Sequence, residues 1–203
     1  SKQEIDILRE PIGKQDQYVA AFGGFNVLEF QKNGEVRVEP VLLDYKKQLG
    51  LESHLLLFYT GITRDAASVL TKQRANINKK FETLKEMSDS VPVFLKNLMS
   101  GDFEKLGTML HQGWLKKQSL ADNVSTPTIN ALYSAGKRAG AWGGKILGAG
   151  GGGCIMFLAP LHEHANIRRS VATTAKKRDL GDFQEIPIKF AHSGVEVMFN
   201  GEL

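Results

Sequence analysis

The chain has 203 residues, of which 42% are hydrophobic, 8% aromatic and 24% charged, with a formal net charge of +4. That composition is globular and sets aside intrinsic disorder. No apolar run reaches the roughly 18–20 residues of a membrane span, and no signal peptide or membrane partner is expected. Lysines and arginines are spread along the chain with acids between them, as at Lys79-Lys80, Lys116-Lys117, Arg168-Arg169 and Lys176-Lys177-Arg178. They read as solvated helix faces, because nucleic acid would want a concentrated patch with interleaved aromatics. The single cysteine, Cys154, has no internal disulfide partner, which favours a reducing compartment, so the expected location is cytoplasmic.

Residues 2–11, KQEIDILREP, read as the last turn of a helix already under way, so the chain is expected to begin within a longer protein. The segment PIGKQDQYVAAFGGFN follows, with Asp16 between two glutamines, after Lys14 and before an aromatic. FNVLEFQKNGEVRVEPVLL is a predicted β-hairpin, turned at Asn33-Gly34, with Val36 and Val38 alternating with charged neighbours. HLLLFYTG, residues 54–61, is a short apolar run ended by glycine, the pattern of a strand covered on both faces.

Helices are predicted next. From Asp65 to Met87 the residues Val69, Leu70, Ile77, Phe81 and Leu84 recur at helical spacing. Ser90 is placed to cap a short helix ending near Gly101, and Asp102 to cap another that turns Phe103, Leu106, Leu110 and Trp114 inward. Thr126-Pro127 is a cap followed by proline at the first helical position, and Gly140 closes that helix. After a glycine run, a last helix is expected from about Leu161 to Arg178. Two alternating strands should finish the chain, with Ile186, Ile188 and Phe190 in one and Val195, Val197 and Phe199 in the other, around His192-Ser193-Gly194. Strands and helices mix without strict alternation, which makes the fold class α+β.

The stretch KILGAGGGGCIMFLAP places five glycines in six positions between two apolar runs. Glycine backbones can approach an anion closely and adopt positive φ freely. Gly148, Gly150 and Gly153 satisfy G-x-G-x-x-G, but a dinucleotide site needs a helix straight after the glycines. Here CIMFLAP follows, a strand ended by proline, and no Lys-Ser or Lys-Thr completes a Walker pattern. Strand, glycine loop, strand is therefore the expected order. A tight turn with close packing would explain one or two glycines. Five in six sacrifice about 0.5–1 kcal/mol each relative to alanine, which a ligand contact would justify. In the other segment, the Asp16 carboxylate is suited to accept a proton from an alcohol, with Lys14 holding it ionised or neutralising a phosphate and the glutamines orienting both. A polar helix start is the plainer reading of the same residues.

Other features carry less. His162 and His164 stand two apart, point apart on a helix, and lack HExxH spacing, so no metal site is expected. Cys154 reads as buried packing. Trp114 and Trp142 read as core or loop packing, Trp142 lying close to the glycine loop in sequence. Lys145 reads as a strand lysine reaching solvent, or as a further holder of an anionic substrate.

Together the two stretches resemble the GHMP kinases, the superfamily of galactose, homoserine, mevalonate and phosphomevalonate kinases, and more narrowly the D-glycero-D-manno-heptose 7-phosphate kinase group. The resemblance is carried by PIGKQDQYVAAFGGFN, LFYTGITRDAASVL, STPTINALYSAGKRAGAWGGKILGAGGGG and the closing hairpin. It implies that residues 1–45 end an N-terminal kinase domain and that residues 46–203 form a C-terminal domain with a ferredoxin-like sheet. It implies a kinase using ATP and Mg²⁺ on a sugar or sugar phosphate, by the narrower resemblance on the anomeric hydroxyl of D-glycero-D-manno-heptose 7-phosphate to give the 1,7-bisphosphate, with Asp16 facing the substrate hydroxyl as general base or orienting group. Gly148, Ala149, Gly150, Gly151, Gly152 and Gly153 would support the nucleotide phosphates. Lys14, Gln17, Gly23, Gly24 and Arg64 are candidates for holding substrate. The superfamily's first two motifs, including the loop that grips ATP, are missing, so the rest of the N-terminal domain is an expected partner, the metal ligands are expected mainly outside this chain, and the chain alone is expected to be inactive. A kinase for L-fucose or galactose, and a non-catalytic ligand-binding module of the same fold, are the alternatives.

Overall fold

The computed structural model describes residues 13–63 and 65–196. It divides into two compact units, Ser1–Gln48 with Lys189–Leu203, and Leu49–Ile188.

In the first unit, helix α1 (Gln15–Phe22) leads into strands β1 (Asn26–Phe30) and β2 (Val36–Pro40), and helix α2 begins at its end (Tyr45–His54). The two strands pair antiparallel, with Phe30 opposite Val36 at the turn and Asn26 opposite Pro40 at the open end. The hairpin forms where the Asn33-Gly34 signal places it, since Gly34 supplies the positive φ of 89° that closes the turn. Asp44 begins α2 by accepting the Lys47 N–H at 2.9 Å.

The second unit is a four-stranded antiparallel sheet in the order β4-β5-β3-β6, built from β3 (Leu55–Tyr59), β4 (Gly143–Ile146), β5 (Cys154–Leu158) and β6 (Gln184–Glu185). Numbered within the unit, that is the 2-3-1-4 order of a ferredoxin-like sheet. Five helices lie between β3 and β4 in the chain: α3 (Ala66–Ala75), α4 (Phe81–Asp89), α5 (Val91–Ser100), α6 (Phe103–Gln118) and α7 (Pro127–Arg138). One more, α8 (His164–Lys177), lies between β5 and β6. The core joins one sheet face, through Leu56, Phe58, Ile146, Ile155 and Phe157, to Trp114, Ile129, Leu132, Ile167 and Val171 of the helices. Each fully buried side chain of this size contributes about 1.5–3 kcal/mol by leaving water, and the unit is α+β as the sequence implies.

The caps act as their residue types dictate. Asp65 accepts the Ala67 and Ser68 N–H groups, Asp102 that of Lys105, and Thr126 that of Ile129. Ser90 differs, because its hydroxyl donates to the Met87 carbonyl instead of capping α5. The long helical pattern from Asp65 to Met87 is broken into α3, a 3₁₀ turn at Asn78–Lys80, and α4. Asn76 ends α3 and spends its side-chain amide on the Leu120 carbonyl at 2.9 Å. Ile77 and Phe81 are consequently exposed rather than in the core. Leu55, Leu57 and Tyr59 of β3 are half-buried, so this strand is covered fully on one face only. Leu55 and Leu57 line a groove of about 810 Å³ on the other face.

The strand expected at Ile186–Phe190 does not form. The ladder ends where the Ile186 N–H donates to the Leu57 carbonyl at 2.8 Å, and from Lys189 the chain belongs to the first unit. In the first unit, residues 191–195 instead lie along the end of α1. The Gly24 N–H donates to the Ala191 carbonyl at 3.1 Å and the Val195 N–H to the Ala20 carbonyl at 3.2 Å. Val197 and Phe199 lie outside the described residues.

Candidate functional site

The glycine loop of the second unit connects β4 to β5 across residues 147–153, the strand-loop-strand order expected of it. Gly148, Gly150, Gly151 and Gly153 all have positive φ, from 66° to 106°. The loop is tied down from three directions. The Gly151 N–H donates to the Val124 carbonyl at 2.7 Å, and the Gly153 N–H to the Ile62 carbonyl at 2.9 Å. The Gly153 carbonyl accepts both the Thr60 N–H at 2.9 Å and the Thr60 hydroxyl at 2.7 Å. Gln73 of α3 donates to the Ala149 carbonyl at 3.0 Å, and the Lys117 ammonium at the end of α6 donates to the Gly148 carbonyl.

Close packing explains part of the glycine content. A Cβ on Gly150 would stand 2.6 Å from the Val124 carbonyl oxygen and 3.0 Å from its Cγ1. A Cβ on Gly153 would meet nothing within 4 Å, so that position needs glycine for its φ of 83° alone. Gly150, Gly151 and Gly152 are buried while Gly148 is exposed. The loop is therefore a fixed scaffold whose outer turn, at Gly148 and Ala149, is the part open to a ligand. Thr60, Gln73, Lys117 and Val124 hold it, and none of them belongs to a local motif. Thr60 is separated from Gly153 by 93 residues; only the strand-ending Thr60-Gly61 pair hints at it in sequence.

Lys145 is only partly open to solvent. It is half-buried beneath α6, beside Trp114 and Lys117, and burial pushes the pKa of its ammonium down. Nearby, the Tyr133 hydroxyl meets His111 Nδ1 at 2.7 Å. Burial raises the tyrosine pKa, while burial and then the Lys137 charge lower that of the histidine. Cys154 opens β5 half-buried, with its thiol pKa raised by burial.

In the first unit, Asp16 sits exposed in the first turn of α1, where the helix N-terminus favours negative charge. Lys14, the residue before the helix, donates its ammonium to the Gly34 carbonyl of the hairpin turn at 3.0 Å. Gln17 is half-buried on the next position of the helix. Gly23 and Gly24 follow α1, and the small size of Gly23 has a packing reason too: a Cβ there would lie 2.2 Å from the Ser193 carbonyl carbon. Both glycines line a cavity of about 300 Å³ with Phe25, Asn26, Phe190 and His192. So Lys14, Asp16, Gln17, Gly23 and Gly24 share one unit, the loop glycines occupy the other, and Arg64 lies outside the described residues. Among the described residues, no group of three or more His, Cys, Asp or Glu side chains could hold a metal ion, and no helix is long and apolar enough to cross a membrane.

Residues 94–177 match the family model described as GHMP kinases C terminal. The D-glycero-alpha-D-manno-heptose 7-phosphate kinase of Campylobacter jejuni is 29% identical over 177 residues, which are 84% of this chain and 52% of that protein. The mevalonate kinase of Thermococcus sibiricus is 32% identical over 71% of this chain and 42% of its own length. Among solved structures, a D-glycero-D-manno-heptose 1-phosphate kinase from Bacteroides thetaiotaomicron superposes with a TM-score of 0.61 at 25% identity, covering 95% of this chain and 51% of that one. The chain thus spans about half the length, or less, of the relatives it matches, and its fold is the GHMP kinase C-terminal fold.

Proposed function

We propose that this chain, whose residues 94–177 carry the GHMP kinase C-terminal pattern, is the C-terminal part of an ATP-dependent sugar kinase acting on a heptose 7-phosphate. The observation that carries the reading is the extent of the match to the heptose 7-phosphate kinase, 84% of the chain. It reaches beyond the family segment and so draws on both units. On this reading residues 1–45 belong to the end of the N-terminal kinase domain and residues 46–203 to the C-terminal domain. The remainder of the N-terminal domain is the partner that brings the ATP-gripping loop, and without it this chain transfers nothing.

Phosphoryl transfer asks a protein chiefly for positioning and charge stabilisation. The Asp16 carboxylate accepts the proton of the anomeric hydroxyl, or holds that hydroxyl by accepting its hydrogen bond, as the oxygen attacks the γ-phosphorus and ADP departs. The glycine loop supplies a rigid backbone surface for the nucleotide phosphates, with Gly148 and Ala149 outermost and Gly150 through Gly153 fixing their position. Lys14 and Arg64 bring positive charge to the sugar's own phosphate, while Gln17 and the Gly23-Gly24 pair shape the ground around the hydroxyl. Mg²⁺ neutralises nucleotide phosphate charge in reactions of this kind; no described cluster suits it, and its ligands are assigned to the rest of the protein.

The test is ADP release by the complete protein with ATP and a panel of heptose 7-phosphate, L-fucose, galactose and mevalonate. Release with the heptose phosphate alone is the expected result. Equal or better turnover of a sugar without a phosphate would overturn the substrate assignment, since Lys14 and Arg64 would then have no anion to hold.

A further inference from the structure

Two side chains from different helices end on consecutive carbonyls of the glycine loop. Lys117, at the end of α6, donates its ammonium to the Gly148 carbonyl across 31 residues of sequence. Gln73, on α3, donates its side-chain amide to the Ala149 carbonyl at 3.0 Å, across 76 residues. Both reach the turn that the loop leaves most open, where Gly148 is exposed and Ala149 half-buried. The elements that carry them are braced together. The Asn76 amide donates to the Leu120 carbonyl at 2.9 Å, and the Lys72 ammonium meets the Asp122 carboxylate at 3.2 Å, which ties α3 to the segment following α6. That segment also supplies the Val124 carbonyl that takes the Gly151 N–H at 2.7 Å.

A peptide group is planar, and in the trans form its carbonyl and N–H point in opposite directions. Among the described residues no peptide bond is cis. Fixing the Gly148 carbonyl on Lys117 therefore turns the Ala149 N–H away from that lysine, and fixing the Ala149 carbonyl on Gln73 turns the Gly150 N–H away from that glutamine. Neither N–H has an acceptor among the described residues. At a residue as buried as Gly150 an unpaired backbone donor is rare and calls for an explanation. The opposite arrangement is within easy reach. Gly148 sits at φ of 66° without a side chain, so the peptide after it can rotate at little steric cost. Rotated, it would present a carbonyl oxygen on the outer turn. An anion there is attracted by the first arrangement and repelled by the second.

We infer that Gln73 and Lys117 are positioning residues of the glycine loop, holding the Gly148 and Ala149 carbonyls back so that the Ala149 and Gly150 N–H groups face the nucleotide phosphates. The inference rests on the kinase reading above, which gives the loop a phosphate to meet, and adds what sets its backbone. Each side chain acts through a peptide plane rather than by touching substrate.

The experiment is isothermal titration of the complete protein with ATP and, separately, with adenosine, at constant Mg²⁺ and ionic strength. The parent should bind ATP more tightly than adenosine. Gln73→Met keeps the side-chain length, changes no charge and removes the donor; ATP affinity should fall about tenfold, the size of a lost charge-assisted hydrogen bond, while adenosine affinity stays within twofold. Gln73→Leu serves the same purpose should the methionine variant not fold. Lys117→Met should behave alike, and Lys117→Arg, which keeps a donor, should recover most of the loss. Unchanged ATP affinity in the Gln73 and Lys117→Met variants overturns the inference. So does an equal loss for ATP and adenosine, the mark of a merely structural role, and so does a loss confined to Lys117→Met, which would mean that its charge acts on the phosphates directly. A parent with no preference for ATP over adenosine overturns the kinase reading itself, and the inference with it.

Discussion

Replacing Gly150 with alanine tests whether the glycine loop is a close-packed scaffold. At φ of 106° any L side chain is strained, and the new Cβ would sit 2.6 Å from the Val124 carbonyl oxygen. That oxygen cannot step aside freely, because it accepts the Gly151 N–H at 2.7 Å. The backbone strain contributes about 1–2 kcal/mol and the overpacking about 1–3 kcal/mol, so Gly150→Ala should destabilise by roughly 2–5 kcal/mol. Gly153→Ala separates the two effects, since its Cβ meets nothing within 4 Å at φ of 83° and only the strain of about 1–2 kcal/mol remains. Gly113→Ala, inside α6 with nothing within 4 Å of its Cβ, should stabilise by about 0.5–1 kcal/mol. Urea unfolding of the three variants reads the order directly. A Gly150→Ala protein as stable as Gly153→Ala would refute the argument that Val124 packs the loop shut.

Thr60→Val keeps the shape of a fully buried side chain but removes the hydroxyl that donates to Gly153 at 2.7 Å and accepts the Ile62 N–H at 3.3 Å. A loss of about 1–3 kcal/mol in urea unfolding is expected. His111 and His164 are both held below the ordinary histidine pKa of 6.5, each chiefly by burial. Their folded forms resist protonation, so the unfolded chain binds more protons as pH falls. Stability is therefore full above about pH 6.5 and declines below it, and His111→Gln should flatten the decline seen in urea midpoints across that range. Burial raises the Cys154 thiol pKa, so alkylation by iodoacetamide at neutral pH should be slower than that of an unfolded control; equal rates would contradict the half-buried placement.

The local elements were legible wherever one residue determines them. Asn33-Gly34 closes the hairpin, Asp102 and Thr126 cap their helices, and Gly101 ends α5 in the left-handed conformation at φ of 76°. What sequence reasoning lost was decided at long range. Asn76 breaks the helical run because Leu120, 44 residues away, offers a carbonyl. The alternation at Ile186, Ile188 and Phe190 is in the sequence, yet the ladder ends at the Ile186 N–H on Leu57 and from Lys189 the chain belongs to the first unit. The chemistry of the loop was visible as glycine content, but its supports were not: Val124 and Ile62 act through backbone carbonyls, which no side-chain pattern records. Lys145 alternates with apolar neighbours as a solvent-facing strand residue would, yet it is half-buried and lines a cavity with Trp114.

The central claim, that Asp16 addresses the hydroxyl receiving the phosphoryl group, is tested most directly by Asp16→Asn in the complete protein, measured as ADP release with ATP and heptose 7-phosphate. Asp16 is exposed on α1, so the variant should fold and unfold in urea as the parent does. The account predicts a fall in turnover of about 10²-fold or more, the range of a lost general base, with substrate affinity largely retained. Turnover within a few-fold of the parent would contradict it.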